Sequence, residues 1–291
     1  MVGRHRDKPQ AYGGYPWVTS STPGRKRIDT KPTRSSYSSA EPLPDRTRQR
    51  NELSSTLPAR PVPYTACVEF EQLVRDRRSI RGYKPDPVPR ALIEEIIEIA
   101  SGAPSSMNTQ PWHFHVVTGE PLDLIRAGNT ERMVAGAKPQ REIPVEGNYD
   151  GVHRERQVEI AYDLFDAMGI RDDRERRRDW MMRGFRQFDA PVSIVVTYDR
   201  DLQLATVGHF DLGAVTYGLV LAAWDRGLGT VINGQGIMQS AVVREHANIP
   251  EDEVIMTCVA MGWPAEGFAA NDIKASRVPV DQIATFVGFD D

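Results

Sequence analysis

Cysteine is scarce: only Cys67 and Cys258 occur in 291 residues. Two thiols make neither a disulfide framework nor a zinc site, and each is expected to serve as a small apolar residue in or near the core. No apolar run reaches 18 residues, so no membrane-spanning helix is expected. No hydrophobic segment of the secretion-signal type is present, and the chain reads as cytoplasmic. There is no internal repeat, no strict alternation of strand and helix, and no convincing nucleophile–base–acid triad. These absences remove secreted scaffolds, solenoids, and hydrolases that work through a side-chain nucleophile.

Charge is distributed unevenly. Residues 1–65 hold 12 Lys+Arg and 5 Asp+Glu, a net of +7, and the remainder carries −11, giving −4 overall. The first 65 residues are rich in Ser, Pro, Gly and Arg and have almost no apolar run, so they cannot bury enough area to offset ordering entropy. A disordered basic leader is expected there. Its acids and prolines fit an amphipathic transit helix poorly. Only Tyr12, Tyr15 and Trp17 interleave aromatic with basic residues, so no nucleic-acid partner is expected.

The folded domain is expected over 66–291, beginning near Tyr64. Leu73 to Arg81 predicts a helix that breaks at Gly82. Pro89 is placed in the first turn of the next helix, with Val88, Leu92, Ile96 and Ala100 on one face, widened by Ile93 and Ile97. Strands are expected over 112–118, 191–198, 230–232 and 254–261. Asp211 is a candidate cap for a helix over 212–226 that is apolar on nearly every side, hence buried all round, with a dimer interface as a natural place for it. A further helix is expected over 238–247. The mixed order favours an α+β fold with a mostly antiparallel sheet. Residues 120–190 differ in character. The Arg-rich run 171–178 is either a solvated helix face or part of a lid that attracts anionic substrate, with Tyr162, Phe165, Met168, Trp180, Met181 and Phe185 as candidate lining.

Four clusters carry the chemistry. Arg77, Arg78, Ser79 and Arg81 place three guanidinium forks and a hydroxyl on five residues, a match for phosphate oxygens. Ser105, Ser106, Asn108 and Gln110 sit between Pro104 and Pro111 in a loop able to aim polar groups at a heteroaromatic edge. Gly227, Gly229, Gly234 and Gly236 let backbone approach a ligand closely. A helix precedes them, so the dinucleotide fingerprint is rejected. Arg277 is a late cation that could close on the phosphate. His113 and His115 share a strand face, but no carboxylate or thiol lies at ligand spacing in sequence, so no metal is expected. His209 is expected to pack or cap.

Arg-Arg-Ser-Ile-Arg (77–81), Ala-Pro-Ser-Ser-x-Asn-x-Gln-Pro-Trp (103–112), the helix between Asp211 and Gly227, and Ser276-Arg277-x-Pro279 together resemble the nitroreductase family, over about residues 68–289. The stretches 148–170 and 188–192 resemble the nitrobenzoate-reducing subgroup. The resemblance implies a nitroreductase-like fold, its mostly antiparallel sheet flanked by helices, in an intertwined homodimer with FMN at the subunit interface. By this resemblance Arg77, Arg78, Ser79 and Arg81 hold the phosphate, ribityl and pyrimidine side, with Arg81 a candidate stabiliser near flavin N1 and O2. Ser105, Ser106 and Asn108 sit near the ring, the serines from the second subunit. Gly234, Gln235 and Gly236 run along the isoalloxazine, where a backbone N–H meets N5. Arg277 binds phosphate, and Lys274 is left out as a ligand. The implied activity is two-electron, ping-pong reduction of a small nitroaromatic substrate by NADH or NADPH. Reductive dehalogenation of a halophenol and a flavin-binding carrier or sensor are the alternatives.

Overall fold

The computed structural model describes residues 69–145 and 147–289. The expected leader over 1–65, the start near Tyr64, and Cys67 lie outside the described residues. In chain order the elements are α1 (Phe70–Asp76), α2 (Arg90–Ala100), β1 (His113–Thr118), α3 (Gly119–Val134), α4 (Gly151–Ala167), α5 (Arg174–Phe185), β2 (Val192–Asp199), α6 (Ala205–Asp225), β3 (Gly229–Ile232), α7 (Ser240–His246) and β4 (Glu253–Gly262), with short 3-10 turns between some of them. The four strands form one sheet in the order β1-β2-β4-β3, antiparallel at every pairing. The fold is α+β, as the element order predicted.

Strand β2 is apolar on successive residues because both of its faces are covered. On one face Val192, Ile194, Val196, Val259 and Met261 meet Leu212, Val215 and Leu219 of α6 and Ile93, Ile96 and Ala100 of α2. On the other, Val117, Val195, Ile255 and Cys258 meet Leu122 and Ile125 of α3 and Val243 of α7. Burying each large aliphatic side chain stabilises the fold by roughly 1.5–3 kcal/mol. The sheet and these helices make a rigid frame on which the loops are hung.

Four expectations need correction. Residues 77–81 are not helical: α1 stops at Asp76, Arg77 turns extended, Ile80 N donates to Thr230 O at 2.9 Å, and Ser79 bridges Thr230 in parallel. A backbone partner across the chain outweighs local helix propensity there. Pro89 flanks α2 rather than lying in its first turn. Helix α6 starts at Ala205, so Asp211 sits inside it, and its carboxylate accepts Ser106 N at 3.1 Å instead of capping. Finally, α6 is not buried all round. It is long and apolar enough to cross a membrane, and it packs one side on the sheet while Phe210 stays 81% and Tyr217 43% exposed.

Helices α4 and α5 form a third layer. Leu164, Phe165, Ile170 and Trp180 pack on Ala270, with Phe268 and Ile273 alongside. Trp180 stacks on Phe268 at 6.3 Å between ring centroids. Phe165, Trp180 and Phe185 are therefore core residues and not pocket lining, which corrects the lid expectation for those three.

Candidate active site

The arginine segment owes its position to packing behind it. Gly229 must be glycine because a Cβ there would lie 2.6 Å from Cγ1 of Ile80. Ile80 fills that space and draws its neighbours along the edge of β3. Asn271, buried and silent in the sequence, completes the clamp. Its Oδ1 accepts from Arg81 N at 2.8 Å and Gly82 N at 3.0 Å, and its Nδ2 donates to Gly82 O at 2.8 Å. Arg183 of α5 adds a donor to Arg81 O at 3.1 Å. No motif pointed to either residue.

This segment lines a cavity of about 710 Å³ with Arg75, Arg77, Arg78, Ser79, Arg81, Lys274 and Arg277, together with Phe70, Val74, Ile160, Ile273 and one carboxylate, Glu71, which pairs with Arg75 at 2.8 Å. Arg77 is half-buried, and its Nε has no hydrogen-bond partner among the described residues. Burial pulls its guanidinium below the ordinary value, Tyr217 opposes that shift, and Arg277 reinforces it. Burial also lowers Arg81, whose Nη1 donates to Ser79 O at 3.3 Å. Arg78 is engaged elsewhere: Nε donates to Asn271 O at 2.5 Å, and its guanidinium lies 5.3 Å over Trp224. Among the described residues the Arg277 side chain donates only to adjacent backbone, at 2.9 Å to Ala275 O and to Ser276 O. Lys274, set aside on sequence grounds, lines the same cavity while pairing with Asp76 at 2.8 Å. Converging cations, one with an orphaned donor, suit a multiply charged anion such as a phosphate monoester.

The glycine turn follows directly from β3, so the arginine segment and the turn are contiguous. Asn233 N donates to Cys258 O at 2.7 Å. Gly236 backs onto Cys258, where a Cβ would meet Sγ at 2.6 Å. Burial pushes that thiol up to about 12, so it stays neutral and inert. Close packing on Ile80 and on Cys258 thus dictates the glycines at 229 and 236, while Gly234 lies against the Arg141 guanidinium, where a Cβ would sit 3.0 Å from Nη2 of the side chain that braces this turn. Three side chains that sequence reading missed hold it: Asn129 donates to Gly236 O at 2.7 Å, Arg141 to Gly234 O at 2.7 Å, and Asn233 to Gly184 O at 2.7 Å. The Gln235 side chain turns back towards Met181 of α5, with Nε2 at 3.5 Å from its carbonyl oxygen. Its backbone is engaged as well: N donates to Asn233 Oδ1 at 3.1 Å and O accepts from Met238 N at 3.2 Å.

The Ser105–Asn108 loop lies elsewhere. Ser105 Oγ accepts from Gln110 N at 2.9 Å, and Met107 at the tip is 96% exposed. Asp211 holds this loop, whereas Arg78 rests on Trp224. Those two positions on α6 are 13 residues apart, about 20 Å at 1.5 Å per residue. One chain brings Arg77, Arg78, Ser79, Arg81 and Arg277 to one cavity, and the 234–236 turn is joined to that segment through β3, where Thr230 pairs with Ile80. It leaves Ser105, Ser106 and Asn108 at the far end of α6.

His113 and His115 are occupied. His113 Nε2 pairs with Asp199 at 2.9 Å, and His115 Nε2 with Glu253 at 2.6 Å. The carboxylates missing at ligand spacing in sequence arrive through tertiary contact, as partners rather than co-ligands. His209 packs edge-on against Tyr198 at 5.0 Å.

The sequence model of the Nitroreductase family matches residues 74–263. The chain is 34% identical over 222 residues to the chloronitrobenzene nitroreductase of Comamonas testosteroni, covering 75% of this chain and 96% of that one. It is 31% identical over 248 residues to the 4-nitrobenzoate reductase of Nocardioides sp. (strain LMS-CY), covering 82% and 100%. The crystal structure of the FMN and NADPH-dependent nitroreductase NfnB from sphigopyxis sp. strain HMH superposes with a TM-score of 0.71 at 28% identity, covering 76% of this chain and all of that one. Both the sequence over its folded length and the antiparallel architecture place this chain in the nitroreductase family.

Proposed function

We propose that the protein is an FMN-dependent NAD(P)H oxidoreductase that reduces nitroaromatic compounds as a cytoplasmic homodimer. The cavity under Arg77, with its unpartnered Nε, carries the cofactor assignment. The phosphate would be held by Arg77, Ser79 and Arg277, and Arg78 serves mainly to fix the segment that presents them. Bound FMN supplies two-electron chemistry, accepting hydride from NAD(P)H and returning the electrons to a nitro group. The chain's own residues bind, orient and exclude. The N–H groups of Gly234 and Gly236 would border the ring edge, that of Gln235 being taken by Asn233 Oδ1, and Arg81, desolvated and cationic, would favour negative charge on the pyrimidine side.

The homodimer reading rests on two observations. The serine loop and the arginine segment are too far apart along α6 to serve one ligand within one chain. The surface of α6 between them is apolar and exposed at Phe210 and Tyr217, where an isolated chain would leave them to water. A second copy packed along α6 covers that stripe and delivers Ser105, Ser106 and Asn108 to the other chain's cofactor.

The test is optical and chemical. The purified protein is expected to be yellow, to bleach anaerobically with NADH or NADPH, and to recover colour on adding a nitroarene as the hydroxylamine forms. Halide release from a halophenol in place of nitro reduction would favour dehalogenation. A flavin that binds but does not turn over would make the protein a carrier or sensor. A folded sample that stays colourless with excess FMN would end the proposal.

A further inference from the structure

Arg141 is a half-buried cation with no carboxylate at ion-pair distance among the described residues. Its neighbour Glu142 is committed elsewhere, to Arg244 at 2.6 Å, Arg200 at 3.4 Å and Ile255 N at 3.0 Å. Around Arg141 lie Ile143, Ile237, Ile255 and Met256, bordering a small cavity of about 110 Å³. Burial lowers the pKa of the guanidinium, and Cys258 opposes that shift. Holding a charge in such surroundings without a counterion is costly. Yet the backbone that carries it is firmly fixed: Gln140 N donates to Met238 O at 2.8 Å, and Gln140 bridges Gln239 in parallel. The guanidinium ends 2.7 Å from Gly234 O, behind the turn read above as the ring contact.

We propose that Arg141 is a positioning residue that acts through this turn as a fixed positive charge, biasing the bound cofactor towards its reduced state. Hydride brings two electrons and one proton, so oxidised FMN gains one net negative charge when NAD(P)H is oxidised to NAD(P)+. A cation fixed on the Gly234 carbonyl stabilises that charge through its own field, since the N–H of the 234–235 peptide is spent on Asn233 Oδ1 at 3.1 Å. The inference rests on the FMN reading of the turn. The unpaired cation in the free protein is then explained by an anion that exists for only half of each catalytic cycle.

The test uses apoprotein titrated with oxidised FMN and with dithionite-reduced FMN. Arg141→Gln keeps a donor for the Gly234 carbonyl and removes the charge, whereas Arg141→Lys keeps the charge. Arg141→Gln is expected to lose about tenfold in preference for reduced over oxidised FMN, equivalent to about 30 mV for a two-electron couple. Arg141→Lys should stay within about twofold of the parent. Because the readout is a ratio of two affinities, general weakening of FMN binding leaves it interpretable. A parent-like ratio in Arg141→Gln overturns the proposal, and so does a KM increase confined to 4-nitrobenzoate over nitrobenzene, which would assign Arg141 to a substrate carboxylate. Gly236→Ala, whose Cβ would press on Cys258 Sγ at 2.6 Å, separates the two readings. If it shifts the flavin spectrum while Arg141→Gln leaves the ratio unchanged, only the Arg141 role fails. If neither variant changes its readout, the placement of the turn at the ring fails too.

Discussion

Arg78 Nε donates to Asn271 O and its guanidinium covers Trp224, whereas the neighbouring Arg77 keeps a buried Nε with no acceptor. Arg77 bears a desolvation cost that only a ligand relieves. Arg77→Ala is therefore expected to leave the thermal stability of the apoprotein unchanged or slightly higher. It should weaken FMN binding by about 1.5–3 kcal/mol, the usual worth of a charged hydrogen bond. Calorimetry of the apoprotein together with FMN titration checks both halves, and a destabilised apoprotein would assign Arg77 to structure. Glu253 provides a second case. Burial raises its pKa, but hydrogen bonds from Thr197 and His115 outweigh that and hold it below the ordinary carboxylate value. A depressed carboxyl stabilises the fold above its unfolded pKa, near 4.3, and that contribution disappears as pH falls through the folded value. Glu253→Gln is expected to cost about 1–2 kcal/mol at pH 7 in urea unfolding, with the difference from the parent shrinking below about pH 4. A pH-independent difference would contradict this account.

Helix α5 is tied to the 233–236 turn through its backbone carbonyls. Asn233 Nδ2 donates to Gly184 O, and Asn233 Oδ1 accepts from Gln235 N at 3.1 Å. The charged run at the start of α5 follows an ordinary cap: Asp173 accepts Arg176 N at 2.9 Å. The helix therefore combines a solvated, Arg-rich first turn with an anchored last turn. Deleting 140–185 would remove Phe165, Trp180 and Phe185 from the core and does not isolate a lid function. A finer change does. Asn233→Ala is expected to cost about 1–3 kcal/mol, the range for a buried group left unpaired, and to release the helix. Trypsin should then cut within 174–178 faster than in the parent, and an unchanged cleavage rate would show that the tie is not what holds α5.

The proposed dimer is a question at the scale of the whole molecule. Phe210 and Tyr217 are exposed on α6, and Val280, Ile283, Phe286, Val287 and Phe289 are exposed towards the C-terminus. A single chain with that much uncovered apolar surface invites a partner. Phe210→Asp should fold, because the side chain touches little within its own chain. It should elute as a monomer and bind FMN at least about tenfold more weakly, since each chain's cofactor would lose the other's serine loop. A dimer on size-exclusion chromatography with full FMN content would place the interface elsewhere.

The amino-acid order alone carried the strands, the α+β class, the arginine motif and the family, because these depend on local periodicity and on residue types grouped within ten positions. It placed Arg77 to Arg81 in a helix, since propensity is local, while the partner that makes the segment extended, Thr230, is 150 residues away. It passed over Asn271, Asn129, Arg183 and Arg141 for the same reason: each is an isolated residue whose role exists only where distant segments meet. It read α6 as buried on every side because its apolar residues lack a period, and only packing showed which of them face the sheet and which face outward. Burial, pairing and the distance between the two halves of the site are properties of three-dimensional contact, and no spacing along the chain encodes them.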